Sequence, residues 1–114
     1  MNWIDKISNN DNKITMITFE NNDVLVHIEL WDERKKYIRF INCLGLKEKQ
    51  CIGDVIGDIS VEEDSLLFRE IQGDILNGDG SGEEVEMIKS FVFKDEWNER
   101  IILEIVAQSV KYDD

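Results

Sequence analysis

The chain has 114 residues and a formal net charge of −12, which is typical of one domain with a strongly acidic surface. This charge disfavours binding to nucleic acid and to anionic membranes, because both attract Lys and Arg. An apolar content of 42% predicts a hydrophobic core that needs neither a disulfide nor a metal to fold. The charge would steer a basic partner toward the protein, although a solvated acidic surface without a partner explains it equally well.

The chain contains no recognisable targeting or membrane segment. Its first ten residues, MNWIDKISNN, lack the apolar segment of a secretory signal, and no apolar run approaches the ~20 residues of a membrane span. Cys43 and Cys51 match no redox or metal motif, so we expect free thiols in a reducing cytoplasm. The abundance of Ile, Asn, Lys, Asp and Glu, with no proline, is typical of an AT-rich bacterial genome.

The chain begins with a short helical segment and a first strand. Residues 2–8 place Trp3, Ile4 and Ile7 at helical spacing, and a polar turn at 9–13 follows. Residues 14–19 then alternate as a strand. The expected faces of this strand are Ile14, Met16 and Thr18 on one side, and Thr15, Ile17 and Phe19 on the other. Asn21-Asn22-Asp23 indicates a tight turn into the next strand.

The clearest hairpin lies in residues 23–44, where the apolar runs DVLVHIELW and KYIRFINCL are joined by DERK. The core stripe of the first run is Val24, Val26, Ile28 and Leu30. In the second run the expected shared face is Ile38, Phe40, Asn42 and Leu44, opposite Tyr37, Arg39, Ile41 and Cys43. A cross-strand pair between Glu29 and Arg39 is expected to contribute less than ~1 kcal/mol if it is exposed.

The second half of the chain is predicted as strands around one helix. Residues 47–49 read as a polar turn, and residues 50–61 as a strand that bends at Gly53 and Gly57. The sequence from Ser60 to Glu63 fits a capping box, which favours a helix over 62–76, although a turn between two strands also fits. Residues 86–93 predict a strand, 94–100 a polar turn, and 101–112 a closing strand or, alternatively, a terminal helix.

The glycine-rich loop NGDGSGEE (77–84) and the residues after it are the candidate ligand site. Their oxygen donors are Asn77, Asp79, Ser81, Glu83, Glu84 and Glu86. An EF-hand beginning at Asn77 needs a bidentate glutamate at its twelfth position, but that position holds Ile88. An ordinary acidic hairpin loop is therefore the better interpretation. A calcium-binding or small-ligand module remains the alternative function.

No residue pattern predicts catalysis, a cofactor or a metal centre. His27 is the only histidine, and without a nucleophile motif beside it a strand residue on a half-exposed face is the better interpretation. Carboxylate pairs are too frequent in this chain to indicate a glycosidase-like site. An enzyme is therefore not expected.

The three tryptophans are candidates for core packing or for a protein interface. Trp3, Trp31 and Trp97 each lie at the edge of a predicted element, where packing in the core or at an edge is the better interpretation and an aromatic anchor within an acidic rim, suited to partner binding, is the alternative. The residues predicted to contact a partner are Trp31, Asp32, Asp79, Glu83, Glu84, Glu86 and Trp97.

Two segments, VLVHIELWDERKKYIRFINC (24–43) and SFVFKDEWNERIILEIVAQSVKY (90–112), give the chain a plan that resembles the immunity proteins of bacterial polymorphic toxin systems. The resemblance covers most of the chain and implies a short, acidic, mostly β protein that binds and blocks a toxin without chemistry of its own. The resemblance also implies that many such toxins are basic nucleases; a protein with a net charge of −12 would be steered to one and could mimic its nucleic-acid substrate electrostatically.

We therefore expect a single domain over residues 1–114. Its fold class is α+β, mainly β, with one antiparallel sheet of about five to seven strands covered on one face by one or two short helices. The expected function is non-enzymatic binding of a protein partner, such as a basic toxin.

Overall fold

The computed structural model describes residues 3–7, 11–62, 66–77, 88–97 and 100–112. The elements in these ranges are α1 (Trp3–Ile7), β1 (Lys13–Glu20), β2 (Asp23–Glu29), β3 (Lys35–Glu48), β4 (Ile56–Glu62), α2 (Leu66–Asn77), β5 (Lys89–Asp95) and β6 (Ile101–Tyr112). Within the same ranges, six strands form one antiparallel sheet in the order β1-β2-β3-β6-β5-β4. The prediction of a mainly β protein with a single antiparallel sheet is confirmed, and the helical content is small.

The sheet consists of two consecutive three-stranded units joined through its longest strands. β3 pairs with β6 from Ile38 opposite Tyr112 to Glu48 opposite Leu103. The two edges of the sheet meet at one end, because the N–H of Ile14 donates to the C=O of Asp54 (3.1 Å) and the N–H of Gly53 donates to the C=O of Ile14 (2.7 Å). The sheet therefore curls around its core.

The main core fills the concave side of this curl. Val24, Val26 and Ile28 are buried as predicted, whereas Leu30 follows the end of β2 and is half-buried. The centre of the core is a group of aromatic rings. The ring of Phe40 lies 5.1 Å from that of Phe91 and 6.0 Å from that of Phe93, and the Trp3 ring of α1 lies 6.1 Å from Phe40.

The two helices cover opposite faces of the sheet, so the prediction of one covered face is wrong. Phe68 of α2 packs against Val106 and Ile88. Val106 alternates along β6 with Ile105, which belongs to the main core beneath α1. Adjacent residues of a strand point to opposite sides of the sheet, so both sides need an apolar cover.

Two register shifts change the predicted faces of β1 and β3. A shift between Ile14 and Met16 leaves Ile14 buried and Met16 exposed, although both were predicted on one face. In β3, Asn42 has a φ of 53° and the register shifts between Cys43 and Gly45. Cys43 consequently packs against the core and Leu44 is exposed, the reverse of the prediction. One extra residue is enough to exchange the two faces.

Several predicted boundaries also move. β3 continues through Glu48, so the polar turn begins later than residue 47. Ser60, Val61 and Glu62 pair with β5, so the capping-box prediction is wrong, and α2 begins at Leu66. The register shifts beside Gly57, as predicted. Residues 101–112 form a strand, the favoured of the two predictions.

Candidate functional site

Trp31 and Asp32 lie in the turn between β2 and β3. The N–H of Leu30 donates to the C=O of Arg34 (2.8 Å), and this bond closes the turn. The Trp31 side chain is 72% exposed. Asp32 accepts a hydrogen bond from the Arg34 Nε at 2.6 Å. The guanidinium thus pairs with the carboxylate of the residue that follows Trp31 and offsets its charge.

Trp97 is 80% exposed in the turn between β5 and β6. The N–H of Asp95 donates to the C=O of Arg100 (2.9 Å), and the Arg100 Nη2 lies 3.3 Å from Asp54 Oδ2. Because the start of β3 lies beside the end of β6, the turns that carry Trp31 and Trp97 are at opposite ends of β6. Trp31 and Trp97, the two predicted anchors, therefore lie on separate surfaces at opposite ends of this strand.

The remaining predicted contacts fall outside the described residues. These are Asp79, Glu83, Glu84 and Glu86, together with most of the candidate calcium loop. Among the described residues, no group of three or more His, Cys, Asp and Glu side chains is arranged to hold a metal ion. Trp3 is a core residue rather than a surface anchor, because its ring packs on Phe40 and Phe91.

His27 occupies the half-buried strand position that the sequence predicted. Its Nε2 lies 2.9 Å from Thr18 Oγ1, and its ring centroid is 6.2 Å from that of Tyr37. Both contacts join neighbouring strands on the face opposite the main core. The arrangement links the three strands of the β1–β2–β3 unit.

The two cysteines are free thiols of low reactivity. Burial raises the pKa of the Cys43 thiol, whose Sγ lies 3.3 Å from the C=O of Gly45. Burial, followed by the nearby Glu48 carboxylate, raises the pKa of Cys51 to about 12. A nucleophilic cysteine needs its thiolate form, so neither environment supports thiol chemistry at neutral pH.

An ion-pair cluster fixes the β1–β2 turn to β3. Asp23 accepts hydrogen bonds from the N–H of Asn42 (3.0 Å) and from the Arg39 Nε (2.8 Å), and these two bonds lower the pKa of its carboxyl. Arg39 also lies 3.3 Å from Glu20.

The predicted pair between Glu29 and Arg39 is wrong: the strand register places Glu29 opposite Lys35 and Arg39 opposite Leu25.

An apolar cleft, which the sequence did not predict, lies between β1 and the second half of β3. Its volume is about 500 Å³, and its lining residues are Thr15, Met16, Ile17, Phe19, Leu46, Glu48 and Ile52. A smaller pocket of about 270 Å³ shares Phe19 and Leu46 with it and extends to Leu44. Phe19 is 69% exposed, and Met16 and Ile52 are each about half exposed.

The signal for this cleft was present but ambiguous. The apolar residues of 14–19 suit a buried strand as well as an exposed one. Ile52 gave no clearer signal, because the sequence placed it in a predicted strand over 50–61, whereas in the structure it lies in the turn that precedes β4.

No helix in the described part of the chain is long and apolar enough to cross a membrane. In comparisons with known proteins, no family model, no curated protein and no solved structure matches this chain.

Proposed function

We propose that this chain is a non-enzymatic binding protein whose ligand is another protein. The observation that carries the proposal is the exposure of two tryptophans, Trp31 and Trp97, in hairpin turns of a chain with a net charge of −12. Tryptophan is among the residues most enriched at the energetic centres of protein interfaces. A solvent-exposed indole gains little for folding, so a role in binding is the economical explanation of its presence.

The charge supports a basic partner. Carboxylates around the anchors would attract it at long range, while burial of an indole would supply much of the affinity. The specific version of the proposal is an immunity protein that neutralises a basic toxin, as the resemblance of residues 24–43 and 90–112 implies. The proposed contacts are Trp31, Asp32 and Trp97, with Asp79, Glu83, Glu84 and Glu86 as acidic contributors.

The test is affinity purification of the full chain from lysate of its source cells at about 50 mM and about 500 mM salt, where screening differs severalfold. We expect a stoichiometric basic protein, identified by mass, that is depleted at the higher salt. The purified partner is then titrated with Trp31→Ala and Trp97→Ala. A tryptophan at an interface centre contributes at least about 2 kcal/mol, so at least one variant should bind about 30-fold more weakly.

The matched control is Val61→Ala, which removes an exposed apolar side chain from the edge strand β4. It should bind like the unmodified chain. Failure to recover any partner, or wild-type affinity in both tryptophan variants, would contradict the proposal.

A further inference from the structure

Within the described residues, the outer edge of β1 is unpaired over most of its length. β1 pairs with β2 along one side. Along its other side the described residues provide a bridge only at the beginning, where Lys13 lies opposite Val55 and Ile14 bonds to Gly53 and Asp54. Beyond this bridge, no other described strand pairs with the outward N–H and C=O groups of residues 15–20. In an antiparallel strand, alternate residues point these groups away from the paired neighbour.

This edge lacks the protection that the opposite edge of the sheet has. Edge strands are commonly blocked by charges or by bulges, because a bare edge pairs with other chains. β4 contains a register shift at Gly57 and carries Asp58 and Glu62. β1, with the sequence KITMITFE, has no charge between Lys13 and Glu20, and its one register shift lies at the bridged end.

The apolar cleft runs beside this bare edge. Met16, Ile17 and Phe19 of β1 form one wall, while Leu46 and Ile52 lie on the other. A strand added to β1 would place alternate side chains into the cleft, since successive side chains of a strand point to opposite sides. Backbone hydrogen bonds and a row of apolar contacts would thus be available at the same place, as in β-strand addition.

Charge decides between the occupants of such a groove. The charged residue among the described residues that line the cleft is Glu48, and Glu20 ends the open edge. A second copy of this chain would bring another net charge of −12 to the same surface. A segment carrying Lys or Arg on its outer side would be attracted instead.

We propose that the cleft between β1 and β3 binds an extended segment of a partner protein, in which apolar residues alternate with basic ones, as an added antiparallel strand on β1. This docking mode rests on the proposed binding function and assigns it a surface distinct from Trp31 and Trp97. About six residues of the segment, some 20 Å of strand, would cover the open edge.

The probe is a synthetic, end-capped octapeptide that alternates Val and Lys. One control peptide has the same composition with its valines grouped together, and a second alternates Val and Glu. Each is titrated into the isotope-labelled full chain and followed by backbone amide NMR. We expect the alternating basic peptide to bind with a dissociation constant below about 1 mM, with shift changes centred on residues 15–20 and 44–53. Both control peptides should bind at least 10-fold more weakly.

The variants are Phe19→Lys and Ile52→Lys, from the two walls, with Val61→Lys on β4 as the matched control. All three positions are exposed, so circular dichroism and urea unfolding should be unchanged. The two cleft variants should weaken peptide binding at least 10-fold, and the control should remain within twofold. Absence of binding by the basic peptide, equal binding by the grouped peptide, or insensitivity to both cleft variants would overturn the proposal. Sedimentation of the chain alone would also overturn it, if a dimer were found that Phe19→Lys dissociates.

These results separate the two proposals. One outcome is that affinity purification yields a partner that Phe19→Lys and Ile52→Lys still bind, while the octapeptide does not bind the chain. In that case the proposed protein-binding function stands and the assignment of the cleft fails. If the octapeptide binds at the cleft but no partner is recovered, the cleft assignment stands as a peptide site and the proposed function fails.

Discussion

Gly57→Ala is expected to be among the most destabilising single-methyl additions to this protein. A Cβ at Gly57 would lie 2.6 Å from the carbonyl oxygen of Asp95, 2.6 Å from the Cα of Glu96 and 2.9 Å from the carbonyl carbon of Asp95. All three are main-chain atoms. Asp95 is held in place on both sides, because it pairs with Ile56 of β4 and its N–H donates to the C=O of Arg100, the residue before β6.

The loss of unfolding free energy in Gly57→Ala depends on which atoms must move to admit the added methyl group. Overpacking costs about 1–3 kcal/mol when side chains can adjust, and more when they cannot. Because the obstacle here is backbone, we expect a loss of about 3 kcal/mol, a large part of the ~5–15 kcal/mol of a typical domain. The clash would be relieved by a movement of β4 away from the turn between β5 and β6.

Two other glycines provide matched controls for the same chemical change. At Gly73 in α2 a Cβ would meet nothing within 4 Å, so Gly73→Ala should stabilise the chain by about 0.5–1 kcal/mol through helix propensity. At Gly45 a Cβ would meet the Cδ1 of Ile71, the far end of a side chain, so Gly45→Ala should cost about 1 kcal/mol. Urea unfolding monitored by far-UV circular dichroism measures all three. A loss at Gly57 below about 0.5 kcal/mol, or the reverse order, would refute the reasoning.

Three further predictions concern the ion pair, the buried thiol and the aromatic core. Folding lowers the pKa of the Asp23 carboxyl from 3.8, so the carboxylate stabilises the fold fully above its unfolded pKa, and this contribution is lost as the pH falls through its folded pKa. Below about pH 4, the midpoint of urea unfolding should therefore change less with pH in Asp23→Asn than in the unmodified chain. With a pKa of about 12 and a buried side chain, Cys51 should resist thiol reagents at pH 8 and react on unfolding, as followed by intact mass; rapid labelling of the native chain would contradict this. Phe40→Ala should cost about 3–5 kcal/mol in urea unfolding, because the ring is fully buried among three others; a loss under about 1 kcal/mol would argue against that packing.

The hairpins were predictable because their determinants are local. Alternation of Val24, Val26 and Ile28 identifies a strand whatever surrounds it, and Asn21-Asn22 accepts turn geometry through its own side-chain and backbone preferences, including a φ of 56° at Asn21. The aliphatic, β-branched composition of residues 101–112 was similarly enough to favour a strand. These preferences act over a few residues and survive in any context.

Local signals misled where a long-range partner competes for the same residues. The helix-capping pattern from Ser60 to Glu63 begins at Ser60, but Ser60, Val61 and Glu62 pair with β5 in a strand instead. The register shifts at Ile14 and at Cys43 have no strong local signature, because the position of an extra residue depends on which neighbour the strand must match. The predicted faces failed beyond each of these points.

The candidate binding surfaces also differ in how far the sequence predicted them. That Trp97 lies in a turn followed from the polar residues around it, and its exposure agrees with that placement. Trp31 was predicted at the end of a strand and lies instead in the turn after β2. Whether Met16, Phe19 and Ile52 are core or surface did not follow from their chemistry, which suits either position.

The sequence by itself determined the β-rich character, the hairpins, the α2 segment and the acidic charge, because alternation, turn chemistry, helical spacing and net charge are properties of short segments or of composition. Only the tertiary structure decided the strand order, the two covered faces and the apolar cleft. These features depend on contacts between residues far apart in the chain, such as Ile14 with Asp54, which close the sheet at one end; beyond them the edge of β1 has no partner strand among the described residues.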